Sequence, residues 1–74
     1  MKATIRELRV RRRIPQSVLA DLAGIDRVFL ARIERGTRAP SVRTLVRLAV
    51  ALKVAPSDLL KRLTPSTLRG LKLD

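Results

Sequence analysis

Residues Gln16–Arg35 read QSVLADLAGIDRVFLARIER, and this stretch decides the fold. Its apolar residues recur at spacings of three and four rather than alternating, which is the pattern of a helix with one buried face. Pro15 stands just before it. A proline disfavours helical geometry in the preceding residue yet suits a first helical turn, so one helix opens near Pro15 and ends at Ala23. Gly24 supplies a left-handed or tight-turn position. Asp26 is a good N-cap for a second run through about Glu34, which Gly36 closes. Small Ala20 falls where the two helices meet, and Ile25, Leu30 and Ile33 point inward. Ala20, Gly24, Ile25, Leu30 and Ile33 therefore read as scaffold that sets the angle between the helices.

Outward from this pair the same punctuation continues. Thr4 followed by Glu7 is a capping-box pair that starts an N-terminal helix carrying Ile5, Leu8 and Arg9 on one face, and Ile14-Pro15 ends it. Pro40-Ser41 opens a helix in which Leu45, Leu48, Ala49 and Leu52 form a core stripe. Val54-Ala55 breaks that run, Pro56 suits a first helical position, and the last helix carries Leu59, Leu60 and Leu63 until Thr64-Pro65. The expected fold class is all-α, a compact five-helix domain over 1–63 with helices at about 4–12, 15–23, 26–34, 41–52 and 56–63. Residues 64–74 form a short basic C-terminal tail punctuated by Gly70.

The chain has 74 residues, 17 Lys or Arg against 6 Asp or Glu, and a net charge of +11. A chain this small buries only about 60–65% of its unfolded surface. An apolar fraction of 46% still suffices for one core. With no Cys and no His, thiol chemistry, thiolate metal sites and the commonest general base are all missing. The acids Glu7, Asp21, Asp26, Glu34, Asp58 and Asp74 are scattered singly, with no adjacent pair to divide acid and base roles. The reading is of a non-enzyme with no cofactor and no metal. No run approaches the ~18 apolar residues of a membrane span, and no leader pattern precedes a cleavage site. The expected location is the cytoplasm, on the nucleoid. The charge calls for a polyanion, nucleic acid first.

The helix–glycine turn–helix of residues 16–35 resembles a helix-turn-helix, whose second helix lies in the DNA major groove. The wider run resembles the xenobiotic-response-element (XRE) family, the fold of the lambda-type phage repressors and Cro. The marks are Ile5-Arg6-x-Leu8-Arg9, Gln16, Leu19-Ala20, Gly24, Ile33-Glu34-Arg35-Gly36, Pro40-Ser41 and Ala51-Leu52, spread over about residues 4–60. GIDRVFLARIERGTR, residues 24–38, is further similar to the controller proteins of restriction–modification systems. The resemblance implies a lambda-repressor-like domain, a largely buried structural ion pair between Arg9 and Glu34, and dimerisation through the end of the domain. Two positions depart from the family pattern. Pro15 stands where Ser, Thr or Asn usually caps the helix and meets phosphate, and Asp26 replaces a Ser or Thr near DNA.

Candidate contacts follow from position. Arg27 and Val28 fall in the first turn of the reading helix, and Arg32 lies near their face. Arginine can bond guanine O6 and N7 together and valine can pack on a thymine methyl, so these three are the base-readout candidates, with phosphate contact as the alternative for either arginine. Gln16, Arg38, Ser41 and Arg43 sit at helix starts or in the following loop and suit phosphate positioning. Phe29, the one aromatic residue, reads either as core or as a backbone neighbour, and Arg11, Arg12 and Arg13 either as an electrostatic DNA contribution or as a solvated face. Val54, Leu59, Leu60 and Leu63 exceed the packing needs of the last helix and form the expected homodimer interface, which Leu68, Leu71 and Leu73 extend unless the tail frays.

The expected function is sequence-specific binding of double-stranded DNA by a homodimer on a pseudo-palindromic operator, as a transcriptional regulator. The alternatives on the same fold are an antitoxin-type DNA-binding partner of a toxin, or an RNA or protein interaction module. A protein partner such as a toxin stays open, while a membrane-surface role fits poorly with five capped helices. The chain carries no aromatic stacking platform of the kind single-stranded RNA readers use.

Overall fold

The computed structural model describes residues 4–62, with side chains through residue 59. Five helices follow in order: α1 Ile5–Arg11, α2 Gln16–Ala23, α3 Arg27–Arg35, α4 Val42–Ala51 and α5 Pro56–Arg62. Each lies within about one residue of its expected span. Thr4, Asp26 and Ser41 start α1, α3 and α4 as side-chain caps, accepting from the N–H groups of Glu7 (3.2 Å), Val28 (2.9 Å) and Thr44 (3.0 Å). Pro15 enters α2 without any side-chain cap, as the departure at that position predicts.

The helix ends hold a feature the sequence hides. After each of α1 to α4 the chain turns through a left-handed residue closed by the same pair of backbone bonds. At α2 the Gly24 N–H reaches the Asp21 carbonyl and the Ile25 N–H reaches the Ala20 carbonyl; Gly36 and Thr37 repeat this on Ile33 and Arg32. This is the Schellman closure, for which glycine is the usual residue. After α1 and α4, however, the left-handed residues are Arg13 (φ 55°) and Lys53 (φ 58°). Their bonds run from Arg13 and Ile14 to Val10 and Arg9, and from Lys53 and Val54 to Val50 and Ala49. These two turns therefore form against the side chain's preference, and the apolar residues that follow, Ile14 and Val54, pack against the core.

That core gathers Ile5, Leu8, Leu19, Ala20, Ala23, Leu30, Ile33, Leu45, Leu48, Ala49, Leu52 and Leu59. α2 packs on both α3 and α4, and α5 packs on α4. Leu19, Leu30, Leu48, Leu52 and Leu59 have no solvent exposure. Each such burial contributes roughly 1.5–3 kcal/mol. One residue expected at a dimer interface is corrected: Leu59 is wholly inside the chain's own core, because α5 must turn a leucine onto α4 to be held at all. Val54 packs against the same core but keeps part of its surface open. Leu60 and Leu63, with the tail from 64 onward, lie outside the residues whose side chains are described.

Candidate nucleic-acid interface

The Asp26 cap fixes where α3 begins, and the period of the helix fixes what it shows. Leu30 and Ile33 are buried against the core, while Arg27, Val28 and Arg32 are exposed on the far side, Val28 by 47%. The three base-readout candidates thus share one open surface of α3, as their spacing predicts. Phe29 is half-buried and packs on the core, in line with its packing role.

Behind that surface lies a polar network that joins three helices. Arg9 of α1 meets Glu34 of α3 in a two-point pair, Nε to Oε2 at 2.8 Å and Nη2 to Oε1 at 3.0 Å. The two side chains keep only 12% and 3% of their exposure. The third face of the guanidinium donates to the Ile14 carbonyl at 3.0 Å, tying the pair to the turn after α1. Such forked geometry satisfies both carboxylate oxygens and gives the pair a fixed direction.

Gln16 extends the network toward the open surface. Its amide nitrogen donates to Glu34 Oε1 at 3.3 Å and its amide oxygen accepts from Arg27 Nη1 at 3.4 Å. Position alone predicts Gln16 as a phosphate ligand; in the free protein its polar atoms are instead engaged within the domain. Arg6, Gln16, Arg27, Ala31, Glu34 and Arg35 together line a polar cleft of about 300 Å³. Arg6 and Arg35 had no expected role, though the spacing Arg27, Ala31, Arg35 at every fourth residue would have placed the last of them on this face.

The other expected contacts lie in the loop after α3, at the start of α4 and at the end of α1. Arg38 is exposed in the loop after α3, which the Thr37 hydroxyl and the Arg38 N–H hold by donating to the Arg32 carbonyl at 3.1 and 3.3 Å. Arg43 is exposed in the first turn of α4. Ser41 is half-buried, and its hydroxyl both accepts from the Thr44 N–H and donates to the Thr44 hydroxyl at 3.0 Å, so its side chain is committed to capping. Arg11, Arg12 and Arg13 are exposed at the end of α1 and just after it, with Arg12 Nη1 donating back to the Leu8 carbonyl at 3.4 Å. Among the described residues no three His, Cys, Asp or Glu side chains converge, and no helix is long and apolar enough to cross a membrane.

Comparison with known proteins agrees with the five-helix fold. A family model described as helix-turn-helix matches residues 5–59. Among solved structures, the restriction-modification controller protein C.AhdI from Aeromonas hydrophila is 40% identical with a TM-score of 0.72, over 74% of this chain and 83% of that one. A transcriptional regulator from Vibrio cholerae is 28% identical with a TM-score of 0.69, over 86% of this chain but only 35% of that one. The chain therefore spans about a third of the Vibrio protein's length. No curated protein gives a significant match.

Proposed function

The chain belongs to the helix-turn-helix family of DNA-binding transcriptional regulators, and from that premise we propose that it is a sequence-specific regulator acting as a homodimer on a two-fold symmetric operator. The observation that carries this reading is the outward set Arg27, Val28 and Arg32 on a helix whose opposite side is locked into the core. Those three side chains read base edges in the major groove, where each forked arginine–guanine pair discriminates by about 1–3 kcal/mol. Arg38 and Arg43 hold phosphates and set the register. Arg11, Arg12 and Arg13 add to the field that draws the duplex in.

The homodimer reading rests on the apolar residues Leu60 and Leu63 of the sequence, together with the half-buried Val54. A two-fold dimer reading successive major grooves would hold its reading helices about 34–36 Å apart, one helical turn of DNA. The likeness to a restriction-modification controller favours a stand-alone regulator over an antitoxin. Selection of duplexes from a random library at about 0.15 M salt tests the whole reading, since non-specific binding there is only micromolar or weaker. Enrichment of a symmetric motif, lost on Arg27→Ala, is the expected result. Salt-sensitive binding without any enriched motif would remove the proposal.

A further inference from the structure

A second surface, formed by α2 and α4, includes none of the residues proposed to contact DNA. Leu22 on α2 is 61% exposed and Val50 on α4 is 67% exposed, with Val46 one turn before it also open. Leu22, Val46, Val50 and Ala51 line a shallow groove of about 430 Å³, with Arg47 and Lys53 as its polar lining. Aliphatic side chains scattered singly over a surface are ordinary, whereas a contiguous apolar groove with a polar edge marks a place where another molecule sits.

Charge selects the occupant. The lining holds two cations and no acid. A second copy pairing face to face would bring its own Arg47 and Lys53 against these two, and residues 63–74 carry Arg69 and Lys72 against the single acid Asp74. Both would set like charge against the two cations of the lining. We propose that this groove docks an acidic amphipathic helix from a different protein, its apolar ridge on Leu22, Val46 and Val50 and its carboxylates on Arg47 and Lys53. This is helix-in-groove recognition, in which anchors about one turn apart supply contact and rim charge supplies selection.

That the groove is left open on DNA rests on the DNA-binding reading proposed above, in which Gln16 and Arg43 at the starts of α2 and α4 face the duplex. Leu22 and Val50 lie six and seven residues further along those helices, about 10 Å away at 1.5 Å per residue. A regulator built this way holds DNA with one end and a partner protein with the other, and the inference goes beyond DNA binding itself.

The test titrates the isotope-labelled full chain, alone and on duplex DNA, with a synthetic helical peptide bearing leucines at one-turn spacing flanked by glutamates. Expected shifts centre on Leu22, Val46, Val50 and Ala51 and survive duplex binding. Val50→Glu, and independently Leu22→Ser, weaken the peptide about tenfold, the scale of one anchor contact, with duplex affinity and thermal midpoint unchanged. A control peptide with lysine in place of glutamate does not bind. Four results overturn the proposal: shifts centred on Arg27 and Arg32, equal binding of the lysine peptide, no binding at millimolar peptide, or dissociation of a dimer by Val50→Glu in sedimentation equilibrium. The last would hand the groove to a second copy.

Discussion

Gln16 and Arg27 come from different helices and meet at 3.4 Å, amide oxygen to guanidinium, while the nitrogen of the same amide holds Glu34 at 3.3 Å. A glutamine amide offers one acceptor atom and two donors, so both bonds form together in only one orientation of the group. Glu34 is in turn fixed by Arg9. The exposed arginine at the start of the reading helix is thereby connected, through one amide, to the ion pair that joins α1 to α3. In a site of this kind the side chain that touches the ligand is only as well placed as the groups behind it.

Gln16→Leu keeps much of the volume and removes both bonds. Operator affinity is expected to fall about tenfold, with the thermal midpoint little changed because Gln16 is only half-buried. Fluorescence anisotropy on the selected operator measures it. Combined with Arg27→Ala, the two losses should fall short of additivity by on the order of 1 kcal/mol, since residues in one hydrogen-bond network are coupled. Full additivity would mean that the two side chains act separately on DNA.

Glu34→Gln leaves the Arg9 guanidinium facing a neutral amide in a place with little water. Removing one partner of a buried pair costs about 3–5 kcal/mol, and the lower end applies because Arg9 keeps some exposure. For a domain this size each kcal/mol moves the midpoint by roughly 4–8 °C, so thermal unfolding should drop by more than about 10 °C. The double change Arg9→Met with Glu34→Leu should regain most of that stability, because apolar packing of similar volume can replace a buried pair. A double variant no more stable than Glu34→Gln would show that the pair's direction, and not only its charge balance, holds α1 on α3.

The left-handed residues make a matched pair of opposite tests. Lys53→Gly relieves a side chain at φ 58° and should stabilise by about 0.5–1 kcal/mol. Gly24→Ala places a methyl at φ 69° and should destabilise by a similar amount or somewhat more. The nearest atom to that methyl, Arg47 Nη1 at 3.4 Å, is the far end of a flexible side chain, so backbone strain and not collision sets the cost. Denaturant midpoints compare the two. Equal midpoints for Lys53→Gly and the parent chain would show that the lysine side chain makes up its own strain.

What could be read in the sequence tracks what is local. Caps at Thr4, Asp26 and Ser41, glycines at 24 and 36 and prolines at 15, 40 and 56 mark helix boundaries without reference to the rest of the chain. The apolar period then gives the buried face of α3 and, by subtraction, its open one. The turns at Arg13 and Lys53 escape such reading because packing of Ile14 and Val54, and not the turning residue, enforces them. Leu59 escapes it because a leucine needed by the chain's own core and one offered to a partner look alike until the neighbouring helix is in place. The Gln16 network is invisible for the same reason: its bonds span eleven and eighteen residues, and no local spacing announces them.

Base contact and phosphate contact leave different signatures, and Arg27 and Arg38 are expected to divide them. Arg27 projects from the first turn of α3, whereas Arg38 sits in the loop beyond its end. Arg27→Ala should cost about 1–3 kcal/mol on the selected operator, flatten the preference at one base pair of each half-site, and leave binding to unrelated duplex nearly as it was. Arg38→Ala should weaken operator and unrelated duplex alike. It should also make the slope of log affinity against log salt shallower by about 0.9 per subunit, one counterion fewer released for each phosphate no longer neutralised. Affinity measured on both duplexes across a salt series separates the two. If Arg27→Ala lowered the salt slope and spared the base preference, Arg27 would be a phosphate ligand and sequence readout would fall to Val28 and Arg32.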